Sequence, residues 1–194
     1  SYYEGEWKNG KRHGKGKFVN IITDPSEDEN YDYLEYEGYW KNGEPNGKGI
    51  EILKKDNLLY QEYIGDFVNR EKEGKGKIIY HYNSSDEWFE GQFKDSNPNG
   101  YGKSGFSDGG EYKGHYKDGL VEGFGVLVEK NKSPKEKYTG EWKHGKKHGK
   151  GILTKLDGSS EIGEWFEGCK VEDLPFSKVK SYLVKKYPDK SGEF

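Results

Sequence analysis

The chain has 194 residues, of which 30% are hydrophobic, 35% are charged and 15% are aromatic, and its formal net charge at pH 7 is −3. So few apolar residues disfavour a conventional closed core, whereas 29 glycines and many aromatic rings in a fixed pattern favour an ordered β structure over disorder. The charge balance disfavours nucleic acid as a partner. The single cysteine excludes an intrachain disulfide, and no apolar run approaches the ~20 residues of a membrane span. We therefore expect a cytoplasmic protein.

One unit of sequence recurs along almost the whole chain. Its clearest copy, YTGEWKHGKKHGKGIL, runs from Tyr138 to Leu153. Measured from Gly140, aromatic residues lie two positions before and two after, and further glycines lie five, nine and eleven positions after. Six full units begin near Tyr3, Tyr36, Tyr63, Phe89, Tyr112 and Tyr138, and a partial unit lies near Gly163. The spacing predicts a repeat domain over residues 2–168.

Each unit predicts a β-hairpin. Aromatic, glycine and aromatic residues at positions two apart share one face of a strand, because side chains alternate along it. A glycine such as Gly10 or Gly43 then takes the positive φ of a tight turn, although Arg70 and Ser96 replace this glycine in the third and fourth units. We expect the paired glycines of the second strand to leave flat backbone on which the rings of the first strand lie. Stacked hairpins would extend one sheet and bury each other's rings.

Longer steps between units predict insertions after the second strand of a unit, where loops tolerate added length. The largest insertion, residues 23–35, carries most of an acidic run from Asp24 to Glu37, with seven carboxylates and no lysine or arginine. We interpret this run as a solvated hairpin extension, and a partner-binding acidic arm is the alternative.

The repeated pattern Y-x-G-x-W-x-x-G-x-x-x-G-x-G resembles the MORN repeat (membrane occupation and recognition nexus). The resemblance implies an all-β fold, an elongated single-layer antiparallel sheet of stacked hairpins. Its shape would be an open half-pipe of roughly thirteen or fourteen strands, with the aromatic rings on the concave side. Glu161 replaces the first aromatic residue of the last unit, so we expect the sheet to end there.

After Cys169 the pattern changes and predicts a helix over residues 173–188, with Asp173 as a cap and Pro175 in the first turn. Pro188 and Gly192 would end it. The apolar residues at helical spacing are Phe176, Val179, Leu183 and Tyr187. We expect this helix to cap an exposed sheet edge. The alternatives are that it fills a groove, its own or a neighbour's, or contacts a membrane through its lysines.

No group of residues predicts catalysis, a metal site or a cofactor site. His144 and His148 are four apart, but they flank a predicted turn instead of sharing a helical face, which disfavours a metal pair. The basic stretch GKKHGKG lacks the spacing of a phosphate-binding loop. His13 and His148 occupy the repeat position that Asn46 and Asn99 occupy elsewhere, so we expect hydrogen bonding beside the turn.

Two surfaces are candidates for binding. The first is a groove of partly covered rings that fits a helix or an extended peptide of a partner protein. Its rings are Trp7, Trp40, Phe67, Phe93, Tyr116, Trp142 and Trp165, with Tyr3, Tyr36, Tyr63, Phe89, Tyr112 and Tyr138. The second is a row of lysines on the other face that could meet anionic lipid head groups. It consists of Lys8, Lys41, Lys94, Lys117 and Lys143, with Lys146 and Lys147 at a turn. Carboxylates alternate with these lysines, so a mixed, solvated face is the competing interpretation.

We interpret the chain as a non-enzymatic scaffold that binds a protein segment along the aromatic groove. The resemblance implies a role in organising membrane-associated or cytoskeletal assemblies, and hence a peripheral location there. One alternative is a phospholipid-binding membrane adaptor. Another is the regulatory module of a larger enzyme, such as a phosphoinositide kinase, a cyclase or a SET-type methyltransferase. A homodimer through an uncapped sheet edge stays open. The absence of methionine fits a segment of a longer protein, and removal of an initiator methionine is the alternative.

Overall fold

The computed structural model describes residues 1–22, 31–82, 85–130, 136–186 and 188. These residues form one open antiparallel sheet of 14 strands, then a 3-10 turn at Val171–Asp173 and helix α1 at Phe176–Lys186. The strands are β1 Tyr2–Lys8, β2 Lys11–Ile21, β3 Tyr33–Lys41, β4 Glu44–Lys55, β5 Leu58–Val68, β6 Glu71–Tyr80, β7 Glu87–Lys94, β8 Asn97–Gly105, β9 Glu111–Lys117, β10 Leu120–Glu129, β11 Glu136–Lys143, β12 Lys146–Lys155, β13 Ser160–Phe166 and β14 Cys169–Lys170.

The order of strands in the sheet is the order in the chain, from β1 to β14. Each repeat unit supplies one hairpin, and the second strand of a unit pairs with the first strand of the next. The predicted fold class, a sheet of stacked antiparallel hairpins, is therefore confirmed.

The hairpin turns have two central residues with positive φ, the geometry that matches the twist of the flanking strands. Asn42 has φ 53° and Gly43 has φ 98°, and the amide of Gly43 donates to the carbonyl of Arg12 in the preceding unit at 2.9 Å. Arg70 (φ 77°) and Ser96 (φ 63°) adopt the same conformation although they are not glycines. Their amides donate to the preceding unit in the same way, so the inter-unit hydrogen bond holds the turn whichever residue is present.

One glycine from each of β1 to β13 lies in a single row across the sheet. The row is Gly5, Gly16, Gly38, Gly49, Gly65, Gly76, Gly91, Gly102, Gly114, Gly125, Gly140, Gly151 and Gly163, each in register with the next. A Cβ at Gly49 would lie 2.5 Å from the Tyr36 hydroxyl oxygen, because the ring of Tyr36 covers this backbone. The expectation that rings lie on bare glycine backbone is confirmed for this row.

The other glycine of each second strand has a different role, and the expectation that both glycines form flat backbone is wrong. Gly14 has φ 62° and Gly47 has φ 109°, and the register of β1 with β2 and of β3 with β4 shifts beside them. A Cβ at Gly14 would lie 2.5 Å from a carboxylate oxygen of Glu6, on the face away from the rings. This glycine is therefore needed for a β-bulge.

The C-terminal helix begins later than the sequence predicts. The amides of Lys178 and Val179 both donate to the carbonyl of Pro175, at 2.8 and 3.1 Å, so α1 begins after Pro175, while Asp173 belongs to the 3-10 turn. Among the described side chains of α1, Tyr182 is the buried one, and it lies one position from the half-buried Leu183 of the predicted stripe. Tyr187, Gly192, the side chain of Phe176 and residues 23–30 of the acidic insertion lie outside the described residues.

Candidate functional site

The predicted aromatic residues lie in one continuous row on one side of the sheet, which we call the ring face. Neighbouring rings meet edge to face, with centroids 4.8–5.3 Å apart. The row is Trp7, Tyr3, Trp40, Tyr36, Phe67, Tyr63, Phe93, Phe89, Tyr116, Tyr112, Trp142, Tyr138 and Trp165. Each ring between Trp7 and Trp165, the two ends of the row, thus packs on a ring of its own unit and on one of a neighbouring unit.

The expectation that these rings are only partly covered is wrong. Eleven of them are between 0 and 7% exposed, Tyr3 is half-buried, and Trp7 is 61% exposed. The cause is that ring-on-ring packing and the glycine row beneath together enclose each ring. The rings form the hydrophobic core of the sheet, and Trp7 is the member whose surface a partner can reach directly.

The tyrosine hydroxyls of the ring row are hydrogen-bonded within the sheet. The hydroxyl of Tyr36 donates to the carbonyl of Tyr39 at 2.9 Å, and that of Tyr63 donates to the carbonyl of Asp66 at 3.1 Å. Burial raises the pKa of Tyr116 to about 12 and that of Tyr138 to about 12. Burial also raises the pKa values of Tyr36, Tyr63 and Tyr112. These hydroxyls therefore stay neutral donors at physiological pH.

Lys147 lies on the ring face and not with the other lysines of the proposed lipid surface. Its Nζ is 3.8 Å from a carboxylate oxygen of Glu129 and 5.2 Å from the centroid of the Tyr138 ring. Lys72 is placed equivalently three units away, with Nζ 2.6 Å from Glu51 and 5.3 Å from the centroid of Tyr63. Both lysines cover the edge of the ring row, so Lys147 is unlike an exposed lipid contact.

The remaining lysines of the predicted row are all exposed. Lys8, Lys41, Lys94, Lys117 and Lys143 each follow the second aromatic position of a unit, so their side chains point to the side away from the rings, which we call the opposite face. Val68 interrupts the row in the third unit. None of the five lysines has an ion-pair partner among the described residues.

The opposite face carries a feature that sequence reasoning missed, a groove of about 750 Å³ across the middle of the sheet. Its floor is the glycine backbone of β4 to β8, and its walls are the side chains on either side of the glycine row. The wall residues are Glu37, Lys48, Ile50, Ile64, Lys75, Lys77, Glu90, Gln92, Tyr101 and Lys103. The side chains that form the groove alternate with the glycines in the sequence, but only the ring-bearing positions repeat clearly from unit to unit. The repeat pattern therefore predicts the ring face and not the groove.

Helix α1 packs on the opposite face at the C-terminal end of the sheet. The ring of Tyr182 meets the ring of Phe166 with centroids 5.3 Å apart. Lys185 pairs with Glu167 at 3.1 Å, and Lys186 pairs with Glu164. This face therefore accepts a helix through an aromatic contact flanked by ion pairs.

The histidines do not converge on a metal site. The backbone amide of His144 donates to Glu122 at 2.8 Å, and the ring of His148 lies 5.7 Å from that of Phe166. Asn46 and Asn99 make side-chain hydrogen bonds beside the turns, to Asn69 and Asp118. The same expectation is wrong for His13, whose Nδ1 is buried and has no hydrogen-bond partner among the described residues. Among the described residues no group of three or more potential ligands could hold a metal ion. No helix in the described ranges is both long and apolar enough to cross a bilayer.

Comparison with models of known protein families identifies the family of this chain. The family model of the MORN repeat matches residues 3–20, 36–57, 63–81, 89–111, 112–128 and 138–160, more than half of the chain. The curated proteins contain no match. MORN repeats are generally non-catalytic modules that interact with proteins or membrane lipids. With six matched repeats that coincide with six hairpins of the sheet, the chain belongs to the MORN-repeat family.

Proposed function

We propose that the chain is a non-enzymatic scaffold that binds a segment of a partner protein in the groove of the opposite face. The observation that supports this assignment is a groove with apolar side chains open to solvent in its walls, Ile64 being 55% and Tyr101 50% exposed. Exposed apolar surface of this kind, rimmed by charged residues, typically marks a contact site. The ring row offers a partner only Trp7, since its other rings are buried or half-buried.

Site-specific photo-crosslinking in the cells that produce the protein tests this function. A benzophenone amino acid replaces Gln92 in the groove, and a matched protein carries it at Leu156, an exposed position between β12 and β13. We expect a discrete crosslinked protein from position 92 and not from position 156. Identical adducts from both positions, or none from position 92, would contradict the proposal.

A phospholipid-binding adaptor is a second candidate, and the five exposed lysines without ion-pair partners favour it. Successive hairpins place these lysines about 10 Å apart along the sheet, except where Val68 intervenes. Co-sedimentation with phosphoinositide-containing and neutral vesicles tests it at low and physiological salt. Binding that persists at physiological salt and is weakened by Lys94→Glu with Lys117→Glu would support the adaptor. Binding that is lost at physiological salt would contradict the adaptor, because it would indicate only a general attraction of surface charges that salt screens.

A further inference from the structure

We propose that the groove of the opposite face takes an amphipathic helix whose polar positions are acidic. This inference rests on the proposed function and adds the chemistry of the partner segment. It follows from the charges of the walls, from their apolar residues, from their spacing, and from the way α1 occupies the same face.

The groove is positive although the chain as a whole is negative. Four lysines line it against Glu37, Glu90 and the adjoining Asp66, so one positive charge is in excess, whereas the net charge of the chain is −3. Lys48 is compensated by Asp66 at 2.8 Å. Lys75 and Lys103 are exposed and have no ion-pair partner in the described part of the chain. Two uncompensated ammonium groups in a groove attract a segment that carries carboxylates.

The apolar residues of the groove lie between these lysines. Ile50 and Ile64 are partners in register on β4 and β5, and together they form an apolar patch in one wall. Tyr101 contributes an exposed ring to the other wall. A partner therefore has to present apolar side chains along its centre and carboxylates at its flanks.

The spacing of the lysines within each wall fits a helical partner better than an extended one. Lys48 and Lys75 lie in one wall and Lys77 and Lys103 in the other, each pair two strands or about 10 Å apart. Residues seven apart in a helix share a side and are separated by about 10.5 Å. In an extended chain about 10 Å corresponds to three residues, whose side chains point to opposite sides. The distance from β4 to β8, about 19 Å, accommodates about 13 helical residues.

The contacts of helix α1 with the sheet indicate how a partner helix would be held in the groove. The charge of α1 makes α1 itself an unsuitable occupant. Tyr182 of α1 rests on an aromatic side chain of the sheet, and lysines of the helix pair with Glu164 of β13 and with Glu167 in the turn that follows it. In the groove the charges are reversed, because the sheet supplies the lysines. The lysine-rich α1 of a second copy would meet like charges there, so the expected occupant is acidic.

A designed peptide tests the inference directly. The probe is a fluorescein-labelled helix of about 14 residues with a leucine stripe and glutamates seven apart on both flanks. A control peptide has the same composition in an order that gives no stripe. We expect fluorescence anisotropy to report binding of the probe at physiological salt, and binding of the control at least about tenfold weaker.

Matched charge reversals distinguish the groove from general attraction. Lys75→Glu with Lys103→Glu should weaken binding of the probe by about tenfold or more, whereas Lys94→Glu with Lys117→Glu makes the same charge change outside the groove and should alter it less than about twofold. Ile64→Ser leaves the charges intact and should weaken binding by several-fold. All these side chains are exposed, so circular dichroism should show the fold retained.

Equal losses from both double variants would overturn the inference, as would equal binding of the probe and its scrambled control. Crosslinking from position 92 to a partner segment that is not an acidic helix would overturn it too, while leaving the proposed function intact. Absence of any crosslinked partner, together with specific binding of the probe, would instead contradict the proposed function alone.

Discussion

Arg70 holds a backbone conformation that glycine holds in most of the other hairpin turns. Its φ of 77° lies in the left-handed region, where a Cβ costs roughly 1–2 kcal/mol. Its amide nevertheless donates to the carbonyl of Pro45 at 2.9 Å, like the turn glycines of other units. Ser96 differs, because its hydroxyl accepts a hydrogen bond from the amide of Lys72 at 3.1 Å and partly offsets the strain.

Arg70→Gly should raise the free energy of unfolding by about 0.5–1 kcal/mol. The substitution removes the backbone strain of the folded state, but part of this gain is lost because glycine makes the unfolded chain more flexible. Urea denaturation measures the difference. Arg70→Ala is the control, since it keeps the Cβ and should give no gain. A glycine variant less stable than the native protein would show that the arginine side chain stabilises the turn.

Alanine substitutions at two glycines distinguish the cost of steric contact from the cost of backbone strain. A Cβ at Gly76 would lie 2.5 Å from a ring carbon of Tyr63, whereas a Cβ at Gly158 meets nothing within 4 Å but requires φ +82°. We expect Gly76→Ala to lower the free energy of unfolding by about 3 kcal/mol or more, and Gly158→Ala by about 1 kcal/mol. Equal costs in denaturant titrations would mean that the Tyr63 ring can move aside.

Residue types alone could predict that glycines meet rings, but not which glycine does so. In each second strand both glycines lie two apart and look equivalent in sequence. The register shift beside Gly14 turns one of them into a bulge, while Gly16 stays under the Tyr3 ring. That difference arises from pairing with a neighbouring strand, which no local pattern contains.

At the scale of the hairpin, the two aromatic positions of a unit act as a shared core. Trp40 contacts the rings of Tyr3 and Tyr36 at 5.2 and 5.0 Å, and the Arg12 guanidinium lies 4.3 Å from the centroid of its ring. Its indole NH donates to the carbonyl of Gly16 at 3.0 Å. Trp7 has the same place in its own unit but stays largely exposed.

Trp40→Ala should therefore destabilise the protein by about 3–5 kcal/mol, and Trp7→Ala by about 1 kcal/mol or less. Thermal and urea unfolding followed by circular dichroism measure both. A similar cost for the two variants would contradict the packing described for Trp40. If partner capture is lost with Trp40→Ala, the cause is the fold and not a missing contact, so variants of the groove are the informative ones.

The hairpins were predictable as elements because aromatic and glycine positions repeat, whereas the roles of the two faces were not. A strand pattern places Trp40 and Tyr36 on one face but does not tell how far rings of adjacent units enclose each other. The C-terminal helix was predictable from Val179 and Leu183, yet its most buried described side chain is Tyr182, which packs on Phe166 of the sheet, a contact that the pattern of the helix alone does not contain.

For the whole molecule, the buried tyrosines link stability to alkaline pH. Burial raises the pKa values of Tyr36, Tyr63, Tyr112, Tyr116 and Tyr138 above the ordinary value of 10.0. A raised folded-state pKa means that the unfolded state releases its proton first as pH rises. The contribution of these hydroxyls is thus fully present below about pH 10 and is lost as pH rises toward the folded-state values.

We expect the free energy of unfolding to be constant from pH 8 to about pH 9.5 with respect to these groups and to fall steeply between pH 10 and 12. Urea titrations at fixed pH values measure it. Tyr116→Phe removes one of the titrating groups and should make the fall shallower, which separates the tyrosines from the lysines that lose charge over the same range. An equal slope in the variant would assign the fall to the lysines.

The strand order follows the chain from β1 to β14 without a crossover, so the number of strands determines the length of the sheet. In the part of the chain that the structure describes, each hairpin pairs only with the hairpins next to it in the sheet, so one unit could be duplicated or deleted without rethreading the rest. Every such event would lengthen or shorten the groove face by two strands, or about 10 Å. The number of repeats would then set the length of the binding surface. Gain or loss of one repeat in the gene would change the length of the partner segment that the surface can bind.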